Sequence, residues 1–479
     1  MKTKQFLLVL FTFSFIIYAN ADVTLPKVIS SNMVLQRNAK VPIWGKADVG
    51  EKVTVSFAGQ TVSTIADAEG KWSITLKSLK LNAMPSDMII SGDNKITLSN
   101  ILVGDVWLCS GQSNMEYPLD YRLKKYTAPA KGTNVALEEL SKPKSDKIRY
   151  ILAEKSKETN DILSVGWINS NDTLLRYISA VGYFFGKNIY EQTNVPIGII
   201  SSSWGGTQIE EWTPPSVYEK SPIFKSQTTE KNFKIDGMTP GLKFASMIQP
   251  IVPFALKGML WYQGETNYMK EDQATYPEKM KLMLETYRLL FKNPKMPFYY
   301  VQIAPYLYSK REKDKKQHTP EGLPEFWEAQ TSFLSTPNTG MIVTTDLVDK
   351  LSDIHPSYKW EAARRLSLWA LAKDYNKKIV YQSPSYKSMK IKDGKIILSF
   401  TNIGSGLISK DGEALSWFTI AGVDGNFVPA KAEIKGKTVV VWTDEVKQPV
   451  MLRFAWNERA MPNLCNKEGL PVIPFRTNE

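Results

Sequence analysis

Histidine and cysteine are almost missing from this chain: of 479 residues, two are histidine and two are cysteine. Cys109 and Cys465 make no disulfide framework and have no metal-ligand spacing; whether they pair with each other cannot be read from sequence. With His318 and His355 far apart, only carboxylates are left to hold an ion, so no metal site is expected. Glycine-rich phosphate loops of the Walker or dinucleotide type are missing too, which excludes those nucleotide chemistries. Internal repeats and low-complexity segments are absent. The formal charge is +12, but the lysines are scattered, with one cluster at Lys310 to Lys316. A solvated surface is expected there, and no nucleic-acid partner, which would need a clustered basic face or a binding motif.

Long apolar runs are equally scarce. One occurs at the start, where Lys2 and Lys4 precede Phe6 to Tyr18, followed by Ala19-Asn20-Ala21. A basic region, a short apolar region and a small-x-small site read as an export signal with cleavage after Ala21, a bilayer anchor being the lesser alternative. No other stretch approaches about 18 apolar residues, so no stable membrane span is expected after cleavage. The protein is expected to be exported, to the periplasm or the cell exterior.

What is present is the composition of a folded chain: 43% hydrophobic, 23% charged and 11% aromatic. Thirteen tryptophans and 21 tyrosines leave room for sugar-stacking surfaces, although most are expected to fill cores. Residues 22–100 alternate in the two-residue period of strands, as in Lys52-Val53-Thr54-Val55-Ser56-Phe57, and read as a β-sandwich-like module. Residues 101–378 alternate apolar strands (Val103 to Leu108, Ile197 to Ser201, Leu256 to Tyr262, Phe298 to Ile303, Gly340 to Thr344) with helices (Ser179 to Gln192, Tyr276 to Phe291, Glu325 to Leu334, Trp360 to Asp374). That pattern predicts a mostly parallel sheet with helices on both faces and a site outside the carboxyl ends of its strands. Residues 379–479 return to strand alternation.

Scarcity of histidine concentrates attention on His355, because histidine is the usual general base near neutral pH. His318 lies in the lysine-rich loop and is expected at the surface. Asp353 stands two residues before His355, and in an extended segment the two side chains face the same way, so the carboxylate can hold the imidazole as in a serine triad. Asp346 and Asp349 are alternative acids; local packing of His355 and helix capping by Asp353 are the simpler reading. Ser113 ends the stretch Gly104-Asp105-Val106-Trp107-Leu108-Cys109-Ser110-Gly111-Gln112-Ser113, where a strand hands over to a helix. A nucleophile gains from positive charge at such a place, although a capping or turn serine would sit there too. Ser110 and Cys109 read as structural residues of the strand end. Gly205 and Gly206, in Ser201-Ser202-Ser203-Trp204-Gly205-Gly206-Thr207, either let backbone N–H groups approach an oxyanion or simply make a turn. Trp261-Tyr262-Gln263-Gly264-Glu265-Thr266-Asn267 either lines a pocket or is a polar turn. In a pocket, Asn267 would donate to an oxyanion, and Gln263 and Glu265 would hold substrate hydroxyls or orient neighbouring groups. Met115 stands where an α/β-hydrolase elbow has its second glycine, which disfavours that fold.

Together the stretches GDVWLCSGQSNM (Gly104 to Met115), SSWGGTQIEEW (Ser202 to Trp212), WYQGETN (Trp261 to Asn267) and DIHP (Asp353 to Pro356) resemble the sialate O-acetylesterase family, within the wider GDSL/SGNH group of serine esterases. The resemblance extends over nearly the whole mature chain. It implies a flavodoxin-like three-layer hydrolase core with flanking all-β regions, no cofactor, and removal of acetyl groups from an acetylated sugar or glycan, with sialic acid as the name substrate. Carried over by position, it implies Ser113 as nucleophile, His355 as base and Asp353 as acid. Ser113 N–H, Gly206 N–H (or Gly205) and the Asn267 side chain would form the oxyanion hole, and Gln112, Gln263 and Glu265 would contact substrate. The wider group spaces acid and base as D-x-x-H; here Ser352 holds that position and the acid falls to Asp353. Two other functions fit the same chain: an esterase for acetylated xylan or another polysaccharide, and a non-catalytic carbohydrate-binding protein.

Overall fold

Residues 95–111 change character within one element. The first half of β1 (Lys95–Gly111) alternates exposed and covered residues, whereas from Ile101 onward every residue is buried. The first half pairs antiparallel with Asn82–Ser91, leaving one face to solvent; the second half lies between parallel neighbours with both faces covered. A computed structural model gives this arrangement for residues 22–132, 134–142, 145–311 and 317–477. The leader expected at 1–21 and the lysines of 312–316 lie outside the described residues. The change of pattern near residue 100 therefore falls inside a continuous strand, through which the N-terminal β region joins the central sheet.

Five further parallel strands complete the centre: β2 (Ile148–Ala153), β3 (Ile197–Ser203), β4 (Gly258–Tyr262), β5 (Phe298–Val301) and β6 (Thr339–Ile342), in the order β6-β5-β4-β1-β3-β2. Without β2, the order is the 2-1-3-4-5 of flavodoxin-like sheets, which reverses direction at β1 and opens a crevice at the carboxyl ends. Successive residues of each strand feed opposite faces. Val106 and Leu108 pack with Met280, Met283, Phe326 and Trp327 from α4 (Tyr276–Leu290) and α5 (Gly322–Ser332). Trp107 and Cys109 pack with Val181, Phe185, Leu366 and Ala370 from α2 (Ala180–Thr193) and α6 (Lys359–Lys373). Each fully buried Val, Leu, Phe or Met among them contributes about 1.5–3 kcal/mol relative to exposure. The result is a mixed α/β sheet with helices on both faces and flanking all-β sheets.

The C-terminal region forms two four-stranded antiparallel sheets around its own core of Ile396, Leu398, Val439, Val441, Leu452 and Phe454. It is tied to the central layers by Arg476–Glu328 at 2.8 Å and by Glu458, which accepts from Ser309 N–H at 2.9 Å. Cys109 and Cys465 are both buried and free. No helix among the described residues is long and apolar enough to cross a membrane. The structure corrects one expectation: His318 is only 5% exposed and packs against Tyr268 at 5.0 Å between ring centroids. Its neighbours are aromatic, and the imidazole body joins them rather than the basic loop.

Candidate active site

Four segments that follow strand ends meet at the carboxyl edge of the sheet. Gly111 makes the turn after β1 at φ +141°, so close to the end of β4 that a side chain there would stand 2.2 Å from the Tyr262 carbonyl oxygen. The turn delivers Ser113 as the first residue of α1 (Ser113–Glu116). Ser113 Oγ lies 2.9 Å from His355 Nε2, a hydrogen bond across 242 positions of sequence. Gly205, after β3, is packed against this turn; a Cβ on it would come within 3.1 Å of Ser113 Cβ. The fourth segment, after β4, contributes α3 (Glu265–Tyr268) behind the turn, where Glu265 Oε1 accepts from Asn114 Nδ2 at 2.5 Å.

Asp353 faces His355 less tightly. Its Oδ1 stands 3.8 Å from Nδ1, beyond hydrogen-bond reach, and accepts instead from the His355 backbone N–H at 2.9 Å. The other two acids are engaged elsewhere. Asp346 pairs with Arg365 at 2.7 Å, and Asp349 accepts from Tyr358 Oη at 2.7 Å. Tyr126 lies on the imidazole at 4.6 Å between centroids and stacks in turn on Tyr117 at 4.6 Å. Burial, and then the positive charge of Lys359, push the His355 imidazole down to about 4, against a smaller opposing effect of Asp353. The ring is therefore neutral, and able to accept a proton, throughout the neutral range.

Other sequence-derived candidates are placed differently from expectation. Asn267 has no N–H left for a substrate: its Nδ2 donates to Glu210 at 3.0 Å and to Asp272 at 2.8 Å, and the residue is fully buried. Its Oδ1 accepts from Ile209 N–H and Gln263 Nε2, so this amide braces the turn after β3. Gly205 N–H is likewise taken, by Glu116 at 2.6 Å. Among the described residues, no partner takes the backbone N–H of Ser113 or of Gly206. Gln112, Gln263 and Glu265 are buried and turned toward protein neighbours. Gln263 Nε2, for example, donates to the Thr207 carbonyl at 3.1 Å and approaches Gln112 Oε1 at 3.2 Å. They form the wall behind Ser113 rather than contacts for sugar hydroxyls. Sequence reasoning missed Glu116, Asn114, Tyr126 and Lys359. Asn114 lies inside the Ser113 motif and Glu116 directly follows it, the one signal that pointed to them.

Basic side chains surround the open side. Lys124 and Lys155 (2.8 Å) both pair with Glu116, which Gly205 also contacts. Lys243 Nζ sits 3.7 Å from the centroid of the Trp204 ring, next to Gly205, with Lys155 Nζ at 5.7 Å from the same ring. A cavity of about 780 Å³ beside Arg37 and Asp105 is at the opposite, amino end of the strands.

Known proteins resemble this chain over most of its length. The profile of the family described as "Carbohydrate esterase, sialic acid-specific acetylesterase" matches residues 103–373. The sialate O-acetylesterase of Homo sapiens is 29% identical over 488 residues, covering 93% of this chain and 91% of its own length. That of Mus musculus is 28% identical, covering 78% of this chain and 77% of its own. The crystal structure of a carbohydrate acetylesterase from Xanthomonas citri superposes with a TM-score of 0.82 at 32% identity, covering 95% of this chain and 99% of that one. The family profile spans more than half of this chain, and the chain belongs to the sialic acid-specific acetylesterase family of carbohydrate esterases.

Proposed function

We propose that this protein removes O-acetyl groups from sugars, most of all from O-acetylated sialic acids, through a covalent acetyl-serine on an SGNH-type hydrolase core. The observation that carries the reading is the 2.9 Å contact between Ser113 Oγ and His355 Nε2 at the carboxyl ends of the strands. His355 Nε2 takes the Ser113 hydroxyl proton as Oγ attacks the acetyl carbonyl. The free N–H groups of Ser113 and Gly206 receive the tetrahedral oxyanion, each donor of this kind contributing about 2.7–4 kcal/mol to the transition state. The C–O bond to the sugar breaks, and the departing sugar oxygen takes the proton from His355. Water, deprotonated by the same nitrogen, then releases acetate and restores Ser113. Asp353 holds the His355 segment through its backbone N–H and stabilises the imidazolium through space. Asn267 is given no part in the oxyanion hole.

The sialic acid preference rests on charge. Lys124, Lys155 and Lys243 around Gly205 and Trp204 outnumber the carboxylates of Glu116 and Glu211 that they pair with. A sugar that carries its own carboxylate is favoured at such a rim, and the Trp204 face suits a sugar ring. The leader at residues 1–21 supports export, and residues 101–378 are taken as the hydrolase unit between the two β regions. Acetate release tests the preference: hydrolysis of O-acetylated sialic acids is expected to exceed that of acetylated xylan in kcat/KM. The reverse order would replace sialic acid by a neutral polysaccharide and leave the chemistry unchanged.

The pH profile follows from the state of the base. A general base must be neutral, and the imidazole is held at about 4. With 4-nitrophenyl acetate, kcat/KM is expected to stay level as the pH falls from 7 to about 5 and to drop only as it passes through about 4. An acid limb near the ordinary histidine value of about 6.5 would contradict the buried setting of His355.

A further inference from the structure

Lys359 is the first residue of α6, where the helix dipole disfavours a cation. It is only 2% exposed, and an ammonium without water is costly unless its donors are taken. No carboxylate pairs with it among the described residues. Its Nζ donates instead to Asn114 Oδ1 at 2.8 Å and to the Pro356 carbonyl, over the rings of Tyr117 and Tyr262 at 4.7 and 5.4 Å. Asn114 continues the connection: its Nδ2 donates to the Ile354 carbonyl at 3.0 Å as well as to Glu265. The carbonyls immediately before and after His355 are therefore both fastened, one by Asn114 and one by Lys359. Asn114 is the neighbour of Ser113. The Asp353 carboxylate, 3.8 Å from Nδ1, gives the ring no comparable anchor.

We propose that Lys359 is a positioning residue for the reaction: bonded at once to Asn114 and to the Pro356 carbonyl, its ammonium locks the His355 segment to the Ser113 turn and keeps Nε2 on Oγ. This rests on the reading of Ser113 as nucleophile and His355 as base. The lock costs a buried charge: burial brings the Lys359 ammonium down to about 7, a fall that Glu265, also fully buried behind Asn114 and without direct contact, and then Asp353 oppose. The ammonium also acts on the ring through space. The other groups that face His355 are Asp353 on its own segment, Glu116 of α1 with its partner Lys124, and the ring of Tyr126. Burial comes first in keeping the imidazole neutral, and Lys359 is the next contributor.

Lys359→Met keeps the length of the side chain and removes the charge and its bonds. With 4-nitrophenyl acetate, kcat is expected to fall about 10²-fold, as displaced catalytic groups do, with KM changed less than about twofold. The acid limb of kcat/KM is expected to move upward, because a positive charge beside the imidazole has gone. A kcat within about twofold of wild type, or an acid limb that does not move, overturns the proposal. Asn114→Ala cuts the link while leaving the ammonium, so it is expected to lower kcat similarly with a smaller shift of the limb. Should Lys359→Met fail to fold, an Asn114→Ala kcat near wild type overturns the proposal by itself. Inactivation by diisopropyl fluorophosphate separates this idea from the reading beneath it. If the wild type gains no adduct on Ser113, that reading fails. If Ser113 is labelled in the wild type and equally fast in Lys359→Met, the positioning role fails alone.

Discussion

Ser113→Ala is expected to lower kcat for 4-nitrophenyl acetate by about 10⁴- to 10⁶-fold, in the range seen when a triad serine is removed. The size follows from what the hydroxyl supplies. Without Oγ no acetyl-enzyme forms, and His355 can only assist a direct attack by water that the site does not hold in place. KM should change little, since Ser113 adds no large contact area to a bound sugar. Folding should be preserved, because the turn is set by Gly111 and by the Asn114 and Glu116 bonds rather than by the hydroxyl. Residues that act as one unit do not add: His355→Ala should cost a comparable factor alone, and almost nothing further in the Ser113→Ala background. Additive losses in the double variant would show that the two side chains work separately.

Lys279→Met is expected to destabilise the fold by about 3–5 kcal/mol, the cost of leaving buried charge without its partner. Lys279 Nζ lies 2.6 Å from Glu210, 2.7 Å from Asp272 and 2.5 Å from Asp236. Three carboxylates converge there as they would on a cation, and the ammonium stands among them. The Lys279 and Glu210 side chains are 0% exposed and Asp272 is 4%, whereas Asp236 is 36% exposed and counts for less. Burial pushes the Glu210 carboxyl up even with the lysine present. Glu210 and Asp272 also accept from Asn267, so the network reaches Gln263 and the wall behind Ser113. Urea unfolding followed by tryptophan fluorescence reads the effect as a lowered midpoint. Adding Glu210→Gln to Lys279→Met should recover part of the loss, because it removes one uncompensated charge; a larger loss in the double variant would refute the ion-network account.

The central layers were legible because their strands are short apolar runs and their helices carry a clear period. Four helices lie within three residues of their expected bounds at each end. The strand Ile148–Ala153 was not expected. Arg149 interrupts its apolar run, yet that side chain is buried and reaches Asn32 and Asn100 at 3.4 and 3.2 Å, two residues over 45 positions away. Pairing across such distances leaves no local trace. The same limit applies around Ser113. The motifs pointed to Ser113 and His355, which the fold brings together, but they could not distinguish a side chain facing the cleft from one facing the protein. Asn267 and Gln263 have the right chemistry for donors and spend it on Glu210, Asp272 and Thr207. Lys359 fell just outside the helix expected at Trp360 to Asp374 and drew no attention, because its partner Asn114 lies 245 positions away. Wide separation between acid and base was not the difficulty; Asp353 and His355 are neighbours, and their side chains still miss a direct bond.

The central claim is a covalent acyl-enzyme on one serine among several at the strand ends. Peptide mapping after reaction with diisopropyl fluorophosphate tests it most directly. A single adduct on Ser113, absent from Ser113→Ala and slowed in His355→Ala, is the predicted result. An adduct on Ser110 or on one of Ser201 to Ser203 instead, with Ser113→Ala still hydrolysing 4-nitrophenyl acetate at the wild-type rate, would contradict it.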